Sequence, residues 1–381
     1  MVGKASAPRR ASTGSPLSPS RPRLLLVGNF FHRHGRDGQY CRDLVDQLVG
    51  RGYPVLTVSR WRPRLLRLVE MTWVPWWQRR NFDVAQVDVF SGPSFVWAEA
   101  ATTMLRAAGK PFVLTLHGGA LPEFARRHPR RVALVLHRAA AVTAPSSYLA
   151  STMKALRPDI QVIPNALDLS RYLFRHRQGV KPNLIWLRAF HRMYEPEMAI
   201  DVLARLAGKH PEVHLTMVGP DKDGSLGRCR AAAVERGVEG RVGFVAGVPK
   251  EQVPHLLASA DIFLNTTTVD NTPVSVIEAM ACGLCVVSTD AGGMPHLVRA
   301  GQEALLLPVG DAAAMAGAVE RLLREPALAA QLSSHARAKA EGFDWSAVLP
   351  QWEELLQRSA AQQKKTPQGA RRRRFLQGAF L

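Results

Sequence analysis

The chain has 381 residues, of which 46% are hydrophobic and 21% are charged. These values are typical of folded globular proteins, and the length leaves room for two domains, each with its own core. No apolar run reaches the roughly 20 residues that a bilayer-spanning helix needs, so we expect no transmembrane segment.

The formal net charge is +19, from 50 Lys and Arg against 31 Asp and Glu. Much of this charge lies in residues 1–20 and 359–381. We expect the first segment to be a disordered basic arm and the second to be a basic tail. Such tails attract any polyanion, so charge alone does not choose between an anionic membrane surface and nucleic acid. We expect no specific nucleic-acid partner.

The start of the chain has Arg and Ser but no apolar h-region, which argues against a secretory signal and leaves a transit peptide as the alternative. Four cysteines without a pairing pattern are typical of a reducing compartment. We therefore expect a cytoplasmic protein, either free or peripheral on the inner face of the membrane. The Cys282 and Cys285 pair lies next to a buried strand, which favours packing over redox or zinc chemistry.

The first half of the chain has the pattern of a parallel α/β domain. The pattern predicts a strand over 23–27, a loop containing Gly28 and Gly38, a helix over 39–51 and a strand over 52–58. Strand, helix and strand in this order form a βαβ unit, which implies a parallel sheet covered by helices. The glycine spacing is not GxGxxG, so it does not indicate a dinucleotide site.

A histidine follows another apolar strand. Residues 112–116 form this strand, and His117 comes directly after it. Because ligands in open α/β sheets bind beyond the carboxyl ends of strands, His117 is predicted to face a cleft. The alternative is a loop histidine satisfied by a backbone carbonyl. Residues 141–147 then predict a strand that leads into a capped helix.

A second alternating run begins at residue 183. Its predicted strands are 183–187, 213–218, 242–245, 262–264 and 285–288, and helices such as 197–207 and 254–260 separate them. A second Rossmann-like half is therefore expected. A further helix is predicted from about residue 346 to 356.

Residues 265–298 carry the densest pattern. A helix of about ten residues is predicted around Glu278, with Gly283 ending it, and a strand and then Gly292 and Gly293 follow. A strand, a Gly-Gly turn and a helix can direct backbone N–H groups at a phosphate. Asp270 lies eight residues before Glu278, so two carboxylates can bind two sets of hydroxyls on one ligand.

This stretch resembles the donor-site signature of glycosyltransferase family 4, whose pattern is Glu, seven residues, Glu, Ala-Met-Ala-Cys-Gly and a later Gly-Gly-x-Pro-Glu. Glu278 matches the second acid, residues 279–283 match the run after it, and residues 292–295 match the turn. The sequence departs from the pattern at two positions. Asp270 replaces the first Glu, and His296 replaces the last.

The resemblance implies an α/β protein of the GT-B fold, with two Rossmann-like domains whose parallel sheets face each other across a cleft. The expected parts are an acceptor domain (21–170), a nucleotide-sugar donor domain (181–345) and a helix that crosses back to the first domain (346–358). The group retains anomeric configuration, and its members use no metal or other cofactor, only the nucleotide-sugar as co-substrate.

The resemblance also implies the roles of individual residues. His117, Asp270 and Glu278 are expected to be catalytic, with His117 on the transferred sugar and Glu278 on the ribose. Arg188 is expected to bind the diphosphate. The position of the usual lysine is Met193, and of the nearest cations, Arg192 and His191, we expect Arg192 to replace it. The remaining donor-binding positions are Gly28, Gly38, Gly219, Val248, Asn271, Thr272, Pro273, Gly292 and Gly293.

These patterns predict a retaining glycosyltransferase that moves a sugar from a UDP- or GDP-sugar to a glycan, polysaccharide or lipid-linked acceptor. The alternatives are a nucleotide-sugar epimerase or phosphorylase of the same fold, and a non-catalytic binding protein that uses its basic tails. Residues 61–80 alternate basic residues with leucines and tryptophans. This composition suits either a lipid headgroup layer or the lining of an acceptor groove.

Overall fold

A computed structural model describes residues 21–28, 39–58 and 64–365. The predicted donor-binding Gly38 and the tryptophan at position 61 lie outside this part of the chain. The strands are β1 (Leu24–Val27), β2 (Val55–Val58), β3 (Val84–Val89), β4 (Phe112–Leu116), β5 (Ala141–Ala144), β6 (Gln161–Val162), β7 (Asn183–Leu187), β8 (His214–Val218), β9 (Val242–Val245), β10 (Ile262–Asn265), β11 (Cys285–Thr289) and β12 (Ala304–Leu307).

The helices separate these strands along the chain. They are α1 (Gln39–Gly50), α2 (Arg64–Trp77), α3 (Phe95–Ala107), α4 (Leu121–Arg127), α5 (Pro129–His137), α6 (Ser147–Met153), α7 (Pro196–Ala207), α8 (Ser225–Glu235), α9 (Val253–Ala258), α10 (Val274–Ala281), α11 (Met294–Leu297), α12 (Ala312–Arg324), α13 (Pro326–Glu341) and α14 (Trp345–Lys365). In the part of the chain that the structure describes, no helix is long and apolar enough to cross a membrane.

The strands form two six-stranded parallel sheets. Their orders are β2-β1-β3-β4-β5-β6 and β12-β11-β10-β7-β8-β9. Both sheets have buried central strands, such as β4 and β10, whose residues are nearly all apolar because helices cover both faces. Within each half, at least one helix lies between every two successive strands, as the βαβ pattern predicts.

Two strands, β3 and β12, were not predicted from the sequence, although β12 is an apolar run. Gln86 and Asp88 interrupt the apolar run of β3, yet both side chains are buried. Buried polar side chains of this kind need hydrogen-bonding partners, and such partners cannot be seen in a linear pattern. The structure supplies these partners, and they belong to the candidate site described below.

The last helix, α14, packs on the first sheet although it follows the second. It begins at Trp345, close to the predicted start, but extends to Lys365 and so includes part of the predicted tail. Its apolar face shares one buried cluster with β1, α1 and Tyr53, and its members on α14 are Trp345, Val348, Leu349, Trp352, Leu355 and Leu356. Trp352 also donates its indole N–H to the Tyr40 hydroxyl at 3.0 Å.

Replacing Tyr40 with phenylalanine is expected to lower the free energy of unfolding by about 1–2 kcal/mol, because the indole N–H of buried Trp352 loses its acceptor. The Tyr40 ring stacks on Trp345, with centroids 5.9 Å apart, and phenylalanine keeps this ring. Urea denaturation measures the change. Glu354→Ala, on the exposed side of the same helix, is the control and should change stability by less than about 0.5 kcal/mol.

Candidate functional site

A cleft lies between the two sheets, where loops from their carboxyl ends meet. Ser146 caps α6 by accepting the N–H of Leu149, and its hydroxyl also donates to the Asn271 side chain of the second half. The Tyr148 ring packs against His296 at 5.6 Å between centroids. The cleft therefore brings the predicted donor-site residue Asn271 against the first half of the chain.

Helix α10 holds Glu278 on the side of this cleft that is formed by the second half of the chain. The helix begins at Val274 with Pro273 as its N-cap, and its eight residues are fewer than the ten or so expected. The Glu278 side chain is buried and accepts a hydrogen bond from the Tyr172 hydroxyl at 2.7 Å. Burial and the adjacent Glu278 carboxylate raise the pKa of Tyr172 far above its usual value, so this hydroxyl keeps its proton.

Two hydroxyl oxygens near the start of α10 are buried without a hydrogen-bonding partner among the described residues. They belong to Thr272, which was predicted to bind the donor, and to Ser275. An unsatisfied buried hydroxyl is costly unless a ligand or water completes it. Ser275 was not identified from the sequence, because a serine in the first turn of a helix is commonplace.

Arg188 and Asp270 lie together in the same cleft. Arg188 directly follows β7, and its guanidinium donates to the Asp270 carboxylate and lies 4.4 Å above the Tyr194 ring. Asp270 also accepts the backbone N–H of Asn271 at 2.8 Å. These contacts fix a planar cation of five N–H donors at the end of a strand, where it can bind phosphate oxygens in pairs.

Gly292 and Gly293 lie in close contact with residues 270–271, and their role in binding phosphate stays a prediction. The Gly293 N–H donates to the Asp270 carbonyl at 2.8 Å, so it is used within the protein, and the helix that follows has only four residues. A Cβ atom on either glycine would overlap the backbone of residues 270–271. The glycines therefore let two loops touch, and this contact places Asp270 and Asn271.

Gly219 packs closely against the backbone of Arg188. A Cβ atom on Gly219 would overlap the Arg188 carbonyl oxygen, and the Gly219 N–H donates to Val245 at 2.9 Å. Val248, expected to face the base, is partly buried against the core of the second half. Arg192 is exposed in the short turn Arg192–Tyr194, where its backbone N–H donates to Asp223. Its phosphate-binding role stays a prediction.

In the first half, His117 is held by a carboxylate rather than by a backbone carbonyl. Its Nε2 lies 2.9 Å from Asp88 Oδ1, and its ring stacks on Phe90 at 4.9 Å between centroids. Asp88 also accepts hydrogen bonds from Gln86 and from the Cys41 thiol. Burial alone would raise the pKa of Asp88, but the charge of His117 and these hydrogen bonds outweigh it and hold the pKa below its usual value.

Gly28 lies against the same hydrogen-bonded network around Asp88. A Cβ atom at this position would overlap Asp88 Oδ2 and lie 3.3 Å from the Cys41 sulfur. The glycine after β1 therefore makes space for the Asp88 carboxylate, and its contact with the donor stays a prediction. Asp88 itself was missed by the sequence analysis, although an acid inside an otherwise apolar strand is a signal that could have identified it.

A small open pocket of about 10 Å³ lies beside this network. Asp88, Phe90, Met71 of α2 and Trp97 of α3 are among the residues that line it. Its space is close to that of one water molecule, so the pocket places Met71 beside the Asp88 network and holds no larger group.

The cysteines and the titratable clusters indicate no further chemistry. Cys282 and Cys285 are buried free thiols, and burial raises their pKa values to about 11 and about 12. They are therefore protonated at neutral pH and pack as small apolar side chains, as predicted. Within residues 21–28, 39–58 and 64–365, no group of three or more His, Cys, Asp or Glu side chains could hold a metal ion.

Comparison with known families identifies both halves of the chain. Residues 38–171 match the family described as Glycosyltransferase Family 4, and residues 175–339 match Glycosyl transferases group 1. The chain belongs to glycosyltransferase family 4. The first match contains the His117 and Asp88 pair, and the second contains Arg188, Asp270 and Glu278.

Relatives and solved structures agree with this family 4 assignment. The D-inositol 3-phosphate glycosyltransferase of Corynebacterium jeikeium is 30% identical over 49% of each chain, so the match spans about half of that relative. The N-acetyl-alpha-D-glucosaminyl L-malate synthase of Bacillus anthracis is 25% identical over 73% of this chain and 75% of its own.

The solved structures establish the fold. Anabaena Alr3699/HepE, crystallised in complex with UDP, is 21% identical, with a TM-score of 0.71 over 88% of this chain and 99% of its own. The sucrose-phosphate synthase of Thermosynechococcus elongatus is 18% identical, with a TM-score of 0.73 over 90% and 100%. The predicted GT-B architecture of two α/β halves with parallel sheets is confirmed.

Proposed function

We propose that this family 4 member is a retaining glycosyltransferase that moves a sugar from a UDP- or GDP-sugar to a hydroxyl group of a glycan or lipid acceptor. The observation that carries the proposal is the arrangement at one cleft of a buried carboxylate, Glu278, and a fixed guanidinium, Arg188. A nucleotide-sugar needs both, because its ribose hydroxyls donate hydrogen bonds and its diphosphate carries negative charge. The complex of Anabaena Alr3699/HepE with UDP supports this choice of donor.

The roles of the donor-site residues follow from what each side chain can offer. Glu278 Oε1 accepts the Tyr172 hydroxyl, and an ionised carboxylate has about four acceptor sites, so it can also accept from a ribose hydroxyl. A guanidinium has five N–H donors, so Arg188 can bind Asp270 and the diphosphate together. The hydroxyls of Thr272 and Ser275 would donate to the same phosphates.

The reaction breaks the bond between the anomeric carbon and the diphosphate oxygen and forms a bond from that carbon to the acceptor oxygen on the same face. The acceptor proton passes to the leaving diphosphate. Negative charge grows on the diphosphate as the bond breaks, so Arg188 stabilises the transition state more than the ground state. His117, oriented by Asp88, would bind the transferred sugar from the first half of the chain, while Arg188 of the second half binds the diphosphate.

The test is release of nucleoside diphosphate from UDP-, GDP- and ADP-sugars, with the anomeric configuration of the product read by NMR. We expect release from one UDP- or GDP-sugar and a product of unchanged configuration. Nucleotide binding without release would indicate that the acceptor is missing from the assay. A chain that binds none of the nucleotides would instead support the non-catalytic alternative.

Replacing Asp88 with asparagine is expected to lower kcat/KM about 10-fold, because an asparagine cannot hold His117 as the carboxylate does. The control is a double-mutant cycle with His117→Ala, measured by the same nucleoside diphosphate assay. If Asp88 acts through His117, the double variant should be no slower than His117→Ala alone. Additive losses would mean that Asp88 affects activity by another route, such as stability.

A further inference from the structure

Helix α2 has apolar residues on its exposed face. Leu66, Val69, Trp73 and Trp77 are 52%, 61%, 60% and 66% exposed. Their spacing of three or four residues places them along one stripe of the helix. The two indole rings stack on each other, with centroids 6.3 Å apart. The stripe is therefore a preformed apolar surface that faces solvent.

The opposite face of α2 is already committed to the protein core. Met71 and Pro75 are buried there, and the Arg67 guanidinium lies 3.5 Å above the Trp97 ring. The helix therefore cannot rotate to bury its tryptophans without exposing this core face. Contiguous exposed apolar surface of this kind usually marks an interaction site.

The charges around the stripe favour an anionic bilayer over a neutral apolar partner. Arg79 lies 4.7 Å above the Trp76 ring, and Arg80 next to it is exposed. Tryptophan prefers the boundary between headgroups and acyl chains, and neighbouring arginines bind lipid phosphates at that depth. The formal charge of +19 for the whole chain adds long-range attraction to such a surface.

The same helix also leads to the candidate site. Met71 on the core face of α2 and Asp88 line the same small pocket, and Asp88 holds His117. A bilayer against the stripe would therefore lie one helix diameter, roughly 10 Å, from the His117 network.

We propose that the exposed face of α2 binds an anionic lipid bilayer. The bound chain would hold its His117 network about one helix diameter, roughly 10 Å, from that bilayer. The proposal does not depend on the proposed transferase function, because vesicle binding is measured without donor or acceptor.

The experiment uses the full chain and vesicles of phosphatidylcholine with 30% phosphatidylglycerol, in which a fraction of the lipids carries bromine on the acyl chains. Bromine quenches only tryptophans that enter the acyl region, and neither residues 1–20 nor 366–381 contain tryptophan. The terminal tails therefore cannot produce the signal. The variant is Trp73→Ser with Trp77→Ser, and the control is Leu134→Ser with Val234→Ser, two exposed apolar residues on other helices.

We expect quenching for the wild type and the control. Because the tryptophan variant lacks two of the reporting rings, its binding is measured by co-sedimentation with the same vesicles, and its partition coefficient should be about 10-fold lower than that of the wild type. Pure phosphatidylcholine vesicles should bind more weakly than the anionic ones. Absence of quenching in the wild type, or equal co-sedimentation of wild type and tryptophan variant, would overturn the proposal. Dimerisation that the tryptophan variant abolishes, without vesicle binding, would also overturn it by identifying a second copy of the chain as the partner. UDP binding, unchanged in all variants, separates these results from failure of the donor site.

Discussion

Replacing Glu278 with alanine is expected to lower kcat/KM for sugar transfer by about 1,000-fold, or about 4 kcal/mol of transition-state stabilisation. The alanine removes the carboxylate that would accept hydrogen bonds from the ribose. It also leaves the buried Tyr172 hydroxyl without this acceptor, which is expected to cost about 1–3 kcal/mol of stability. The measurement is release of nucleoside diphosphate, together with thermal unfolding of each variant.

Two further variants separate donor binding from stability. Glu278→Gln keeps an acceptor for Tyr172 and one for the ribose, so it should be nearly as stable as the wild type and lose about 10- to 100-fold in kcat/KM. Tyr172→Phe keeps the Glu278 carboxylate but removes the hydroxyl that helps to orient it, so it should mainly raise KM for the donor. A Glu278→Ala enzyme that is folded and turns over at the wild-type rate would refute the assigned role of Glu278.

The residues that could be predicted from the sequence are those that a local pattern marks. Glu278 lies on a helix whose start and end are visible in the sequence, and Arg188 directly follows an apolar strand. Each position could therefore be placed at the carboxyl end of a sheet before the structure was known. Their assigned roles remain part of the proposed function, because the fold alone does not determine chemistry.

The residues that could not be predicted depend on contacts between distant parts of the chain. Tyr172 meets Glu278 across 106 positions, and Asp88 meets His117 across 29. Hydroxyls and carboxylates pair by geometry, and pairing at such separations leaves no periodic signal in one sequence. The same limit applies to Gly292 and Gly293, whose role in loop contact is visible only when residues 270–271 lie beside them.

The segment that joins the two halves shows that composition alone does not reveal whether a basic residue is exposed. This segment is rich in Arg and Lys, yet Arg177 is fully buried and donates to three backbone carbonyls, those of Arg175, Ala260 and Cys282. It also lies against the Asp261 carboxylate at 3.4 Å. Burial of the guanidinium lowers the pKa of Arg177, while Asp261 opposes that effect. A basic residue in a linker can therefore be a structural donor that fixes the linker to α10 and β10.

Replacing Gly293 with alanine is expected to lower kcat/KM about 100-fold and the free energy of unfolding by about 1–3 kcal/mol. The backbone of Gly293 has φ −83° and ψ −4°, which alanine adopts readily, so the effect must come from space alone. The new Cβ atom would overlap the Asn271 carbonyl oxygen and lie 2.8 Å from its carbonyl carbon. The loop that carries Asp270 and Asn271 would have to move away from Arg188 and Ser146.

Gly317→Ala is the matched control for this substitution. Gly317 lies within α12, is exposed, and has no atom within 4 Å of the added Cβ position. Alanine should therefore stabilise the chain by about 0.5–1 kcal/mol and leave transfer unchanged. Urea denaturation and nucleoside diphosphate release measure both variants. If Gly293→Ala kept full activity, the contact of the Gly-Gly turn with residues 270–271 would not be what positions the donor loop, and the position of Asp270 would have to depend on its bonds to Arg188 and Asn271 alone.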